Sequence, residues 1–194
     1  NEEEKYMFEY EQKIFAKIIY EIKSSDPDTT YDMYCKLKEE FSNGGIYRQK
    51  ITLPTLANSL IHFCNNISKF YDNKGSENEY NKENIIDITK IENDEIFYSL
   101  MLNLYKLLHD IIQLLTDNYP QLALKLFLTA ASQVNNIQSS KEKFQEVCIS
   151  FINNAISIYK DEKYKPVFSD KIFDVFIDIC GNLEQLSNVD NESL

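Results

Sequence analysis

Residues Phe41 to Leu56 read F-S-N-G-G-I-Y-R-Q-K-I-T-L-P-T-L. The stretch closes one helix, crosses a short basic turn and opens another. Gly44 and Gly45 carry no Cβ, so either can take the left-handed conformation that ends a helix. Thr52 has the side chain of an N-cap, and Pro54 then falls in the first turn of the next helix, where a missing N–H costs nothing. Arg48 and Lys50 sit between, as cations suited to the carbonyls at a helix C-terminus. Gly44-Gly45 is not a phosphate loop, because the Lys-Ser/Thr pair and the preceding strand of a P-loop are missing.

Working outward, Asp26 is set to cap a helix and Pro27 to take its first position. That helix covers 27–43, with Met33, Tyr34, Leu37 and Phe41 on one side. A helix before it, over 3–24, carries Ile14, Phe15, Ile18, Ile19 and Ile22 as a stripe. Beyond the quoted stretch, Leu53, Leu56, Leu60, Phe63, Cys64, Ile67 and Tyr71 keep helical spacing over 53–72. Residues 73–93 are polar and rich in Asn, Lys and Glu, and read as a long mobile loop with at most a helical turn over 85–91. Further helices are expected over 94–118, 120–135, 140–161 and 169–187. The segment Leu122 to Leu128 is apolar nearly all round, so its helix should be the most buried. Pro166 separates the last two helices, and Ser169 is placed to cap the seventh.

These spacings predict an all-α fold of about seven helices. Helices start near residues 27, 94 and 140. The second interval matches the roughly 40–47 residues of a HEAT-type hairpin, and the first does so once 73–93 is treated as an insertion. The expected architecture is a single domain over 1–194: a right-handed α-solenoid of stacked hairpins, with the first helix belonging to a preceding repeat. A compact helical bundle of unrelated topology is the alternative.

Composition narrows the function. Four Gly and four Pro in 194 residues are too few for the turns of a β-sandwich or barrel. A hydrophobic content of 43% is enough for a sizeable core. A net charge of −11 disfavours a grip on nucleic acid or on an anionic membrane, although Arg48, Lys50 and the Lys160–Lys165 segment are locally basic. Cys35, Cys64, Cys148 and Cys180 are far apart and lie in apolar patterns, which suits buried free thiols in a reducing compartment. No apolar run approaches the ~18–20 residues of a membrane span. The opening Asn1-Glu2-Glu3-Glu4 has neither Met nor a signal-peptide pattern, which predicts a piece of a longer protein.

Residues 22–56 resemble the C-terminal half of the vacuolar protein sorting-associated protein 35 family, the large α-solenoid subunit of retromer. The resemblance is carried by Ser25-Asp26-Pro27-Asp28, Phe41, Gly44-Gly45, Arg48 and Thr52-Leu53-Pro54. It continues through Tyr119-Pro120 to Ala131 and through Phe151 to Glu162, with order and approximate spacing kept across residues 14–187. Three features depart from the family pattern: the low-complexity 73–93 segment, a longer turn around Lys163–Phe168, and an end before the last hairpins. The resemblance implies a non-catalytic scaffold in endosome-to-Golgi or vacuolar sorting, cytoplasmic and peripheral on endosomal membranes. Its concave face would clasp the phosphoesterase-like subunit, vacuolar protein sorting-associated protein 29. The region for the arrestin-like subunit and part of the platform would lie outside this chain. An unrelated helical-repeat adaptor is the runner-up.

In a HEAT-like stack the second helix of each hairpin presents partner contacts. Helix order therefore nominates His62, Asn65, Lys125, Thr129, Asp174 and Asp178. A helical enzyme or metal-binding domain finds little support. His62 and Cys64 are two apart on a helix and diverge by about 200°. His109-Asp110 lacks a fixed nucleophile and reads as a surface pair. Asp170, Asp174 and Asp178 form an acidic stripe whose plain reading is a solvated face. No cofactor is expected. The apolar ends of a solenoid predict self-association through the first or last helix.

Overall fold

The structure is a computed structural model that describes residues 2–22, 24–72, 91, 93–137 and 141–168, with Ile177 and Gly181 as isolated positions. Six long helices make up the described chain: α1 Glu2–Glu21, α2 Pro27–Ser42, α3 Ile46–Asp72, α4 Asp94–Thr116, α5 Pro120–Asn135 and α6 Lys141–Lys160. A 3-10 turn, Glu162–Tyr164, and a single helical turn, α7 Lys165–Phe168, follow. No strand occurs among the described residues. The helix expected over 169–187 lies outside them apart from Ile177 and Gly181, and so does most of the 73–93 segment. Ile91, expected in the mobile loop, is instead in the core at 2% exposure.

Local chemistry sets the helix ends. Asp26 holds extended backbone (φ −93°, ψ 118°), and its Oδ2 accepts from the Thr29 N–H at 3.1 Å and the Thr29 hydroxyl at 2.6 Å. Pro27 follows in the first turn, where its missing donor is harmless. Asn93 caps α4 in the same way, accepting from the Glu95 and Ile96 N–H groups at 3.0 Å.

The quoted turn is shorter than the sequence predicts. Of the glycine pair, Gly45 alone has positive φ (78°), and its carbonyl already accepts the Gln49 N–H at 3.0 Å. α3 therefore starts at Ile46, not near residue 53. Thr52 is not an N-cap: it is fully buried in the helix, and its hydroxyl donates to the Arg48 carbonyl at 2.9 Å. Pro54 lies inside α3, so the Lys50 carbonyl gets no N–H from the residue four ahead. Leu53, Leu56 and Ala57, all at 0% exposure, anchor this region in the core. Tertiary burial carries the helix through a residue that normally marks a first turn. Gly44 contributes close approach instead, since a Cβ there would lie 2.3 Å from Arg48 Cδ.

The helices stack in two layers. α1, α3 and α5 pack side by side in one, and α2, α4 and α6 in the other; each consecutive pair from α2 to α6 joins the layers. From α2 to α6, neighbours within a layer run parallel. Tyr119 OH reaches the Ile46 carbonyl at one end of α3 and α5, while Gln133 Nε2 donates to Asn65 Oδ1 further along. Lys38 of α2 meets Asp110 of α4 at 2.7 Å, while Asp28 and Tyr31 share a groove with Glu95 and Ser99. Tyr98 of α4 lies 5.1 Å from Phe144 of α6, and His109 lies 6.4 Å from Phe151 (ring centroids). Parallel like-layer helices are what stacked antiparallel hairpins require. The described chain is thus an all-α helical solenoid.

An aromatic seam joins α4 to α6 within their layer and reaches α5 in the other through Phe127. Phe144 meets the edges of Phe97 and Tyr105, each at 6.1 Å, and Phe151 meets Tyr105 and Phe127 at the same separation. Ten of the 16 residues of α5 are buried, a larger share than in α3 or α4, as its all-round apolar pattern predicts.

Candidate interaction surface

The outward stripe of α3 is Asn58, His62, Asn65, Asn66 and Lys69, three or four residues apart and therefore on one helix face. The matching stripe on α5 is Lys125, Thr129, Ser132, Gln133 and Asn136. Four of the residues nominated from sequence fall on these stripes: His62, Lys125 and Thr129 are exposed, and Asn65 is half-buried. Asp174 and Asp178 lie outside the described residues.

One hydrogen bond joins the stripes. Gln133 Nε2 donates to Asn65 Oδ1 at 3.1 Å, which commits the Asn65 oxygen to the seam and leaves its NH2 group as a donor. The Thr129 hydroxyl donates to the Lys125 carbonyl at 2.9 Å, so its methyl and lone pairs are what the surface offers. Helix order alone missed Gln133, Asn58, Asn66 and Lys69. The signal for the α3 members was the Asn58, His62, Asn65, Lys69 spacing. Gln133 has no sequence signal toward Asn65, because their proximity depends on how far α5 slides along α3.

At one edge of the stack the turns are tied together. Tyr119 OH donates to the Ile46 carbonyl at 3.1 Å, and Lys50 Nζ lies 5.8 Å from the centre of the Tyr119 ring. Asp117 Oδ1 accepts from Lys163 Nζ at 2.7 Å and Tyr164 OH at 3.0 Å, and Gln121 Nε2 donates to the Val167 carbonyl at 2.7 Å. The two donors hold the Asp117 carboxyl below the usual carboxylate range. The longer turn around Lys163–Phe168 is thus the segment that binds this edge.

The suspected chemical sites do not assemble. His62 is exposed while Cys64 is fully buried, with its thiol pushed far up by burial. His109 Nδ1 stands 3.8 Å from Asp110 Oδ1, but Asp110 Oδ2 takes Lys38 Nζ at 2.7 Å. Asp110 therefore joins α2 to α4 rather than orienting an imidazole. His109 is not a plain surface group, since its ring is tucked against Phe127 and Phe151. Beside it, an open groove of about 450 Å³ runs between α4 and α6, lined by Tyr98, Leu102, Lys106 and Glu146 among others. Among the described residues, no three His, Cys, Asp or Glu side chains are grouped to hold a metal ion, and no helix is long and apolar enough to cross a membrane.

Comparison with known proteins agrees with this architecture. The chain is 25% identical over 156 residues to vacuolar protein sorting-associated protein 35A of Arabidopsis thaliana, a match covering 80% of this chain and 17% of that protein. The chain thus spans only a small part of the length of that relative. The family described as vacuolar protein sorting-associated protein 35 matches residues 1–194, the whole sequence. With its stacked helical hairpins and this end-to-end match, the chain belongs to the vacuolar protein sorting-associated protein 35 family.

Proposed function

We propose that this chain is a non-catalytic scaffold segment of the retromer cargo-recognition complex. It binds the phosphoesterase-like subunit, vacuolar protein sorting-associated protein 29, across the joined stripes of α3 and α5. The segment serves endosome-to-Golgi or vacuolar sorting, in the cytoplasm and peripheral on endosomal membranes. The other retromer subunits engage regions outside this chain.

The observation that carries the reading is the parallel register of α3 and α5, joined by Asn65 and Gln133. Two parallel helices give one continuous surface, rich in amides and poor in charge. Depletion of charge is what distinguishes the centre of a protein interface from ordinary surface. Membership of the family supports the assignment to a sorting coat.

Isothermal titration tests the reading. The chain, and a version extended through the hairpins that follow in the longer relative, are titrated with the purified phosphoesterase-like subunit from the same source. Binding that strengthens with extension supports a platform shared between this segment and its neighbours. Absence of heat with both versions rules this partner out.

A further inference from the structure

The open groove of about 450 Å³ between α4 and α6 has no part in the surface proposed above. Its α4 wall carries Tyr98, Leu102 and Lys106 at helical spacing, and its α6 wall carries Glu146, Val147 and Ser150. Leu102 and Val147 are half-buried, whereas Lys106, Glu146 and Ser150 are exposed. The rings of Tyr105 and Phe151, both buried and 6.1 Å apart, close the floor. Asp110 at the same groove is taken by Lys38, and Lys143 lies over the Tyr98 ring at 5.5 Å. Lys106 and Glu146, on opposite walls, have no ion-pair partner among the described residues.

We infer that this groove docks an amphipathic helix of a partner protein. That helix carries large apolar side chains on its contact face, a carboxylate on the flank toward Lys106 and a cation on the flank toward Glu146. Both walls are helix interiors whose backbone groups bond within α4 and α6, so an extended segment finds no ladder to join. A helix satisfies its own backbone and needs only the apolar trough. The packed aromatic floor holds that trough ready, so little ordering is lost on binding. Charge then selects this groove over its neighbour. The groove between α2 and α4 is lined by Asp28 and Glu95 and by no cation, which repels the acidic flank. Charge also sets direction. Turned end for end, the same helix brings its carboxylate to Glu146 and its cation to Lys106.

The probes are three synthetic helical peptides of about 14 residues, about 21 Å long, with leucines at i, i+4 and i+7. One carries Glu on one flank and Lys on the other, the second Glu on both, the third Lys on both. Fluorescence anisotropy is read at about 0.15 M salt, where screening limits the pull of net charge. The background is Phe15→Glu with Ile18→Glu, which keeps the probes off the apolar face of α1. The mixed peptide should bind tightest, by roughly three- to tenfold, and shift the amide signals of Leu102, Val147 and Ser150. Glu146→Lys should move the preference to the Glu peptide, and Lys106→Glu to the Lys peptide. Glu40→Lys, with the same change of net charge on α2, should leave the ranking as it was. Leu102→Arg should fill the trough and abolish binding, with circular dichroism checking its fold; the two exposed charge reversals decide the matter if it does not fold. No binding of the mixed peptide, a ranking deaf to both reversals or equally moved by Glu40→Lys, or signal shifts away from the groove would overturn the inference. The phosphoesterase-like subunit takes no part in this test, so its outcome leaves the reading under Proposed function untouched.

Discussion

Tyr119 donates its hydroxyl to the Ile46 carbonyl across 3.1 Å, so the first residue of α3 is held by the residue that leads into α5. Tyr119→Phe keeps the ring and its contact with Lys50 and removes the bond alone. The expected loss is about 0.5–1.5 kcal/mol in urea denaturation. Hydrogen exchange should quicken over residues 46–53 and stay unchanged over 56–70. Equal exchange in both segments would mean that the bond does not hold this end of α3.

Pro54, inside α3, and Gly45, immediately before it, make opposite predictions. Pro54→Ala supplies the N–H that the Lys50 carbonyl lacks, at some cost in unfolded-state entropy. Its net effect is a stabilisation of about 1–2 kcal/mol. Gly45→Ala forces a side chain into positive φ and destabilises by about 1–2 kcal/mol. Denaturant midpoints of the two variants should therefore move apart. A fall in both would show that Pro54 is needed for packing.

Tyr34 is buried, with its hydroxyl 2.8 Å from Ser59 Oγ, and burial pushes its pKa up to about 12. In the unfolded chain a tyrosine ionises near pH ~10. The unfolded state thus gives up this proton first. The stabilisation is complete below about pH 10 and is lost as pH rises toward 12. The urea midpoint should fall steeply between those limits, and Tyr34→Phe should flatten the fall.

Phe144 is 1% exposed and touches aromatic rings of α4 from α6. Phe144→Ala removes the knot that joins these neighbours and should cost about 3–5 kcal/mol. Conservative replacement by Leu should recover much of it. A loss below 1 kcal/mol for the alanine variant would place the core elsewhere.

α1 exposes Tyr6, Met7, Tyr10, Ile14, Phe15, Ile18 and Tyr20, seven large apolar side chains on 20 residues. Apolar patches of this density seek cover. Light scattering should show mass rising with concentration, and Phe15→Glu with Ile18→Glu should hold the protein monomeric. A constant monomer for the unmodified chain would rule out self-association through this face.

Periodicity made most of the helices legible. Leu56, Leu60, Phe63, Cys64 and Ile67 recur as one face, and that face is buried. Asp26 and Pro27 read as a helix start because the capping chemistry is local. Thr52 and Pro54 misled for a non-local reason. Their local preference is for a first turn, but burial of Leu53 and Leu56 carries the helix back to Ile46. Ile91 was hidden by its polar neighbours. Helix order nominated His62, Asn65, Lys125 and Thr129 for the proposed surface, whereas the position of Gln133 beside Asn65 depended on the offset between two helices, which no spacing within one helix encodes.

The stack of Tyr71 on Phe97, with ring centres 4.1 Å apart and planes within 9°, has a consequence beyond its energy. The Tyr71 hydroxyl also reaches Asp94 Oδ1 at 2.6 Å, so the chain leaves α3 and returns to α4 through a fastened gate. The repeat keeps its pitch by counting contacts rather than residues. Tyr71, Asp94 and Phe97 fasten the mouth of this hairpin, and Ile91, held in the core just ahead of α4, belongs to the same fastening.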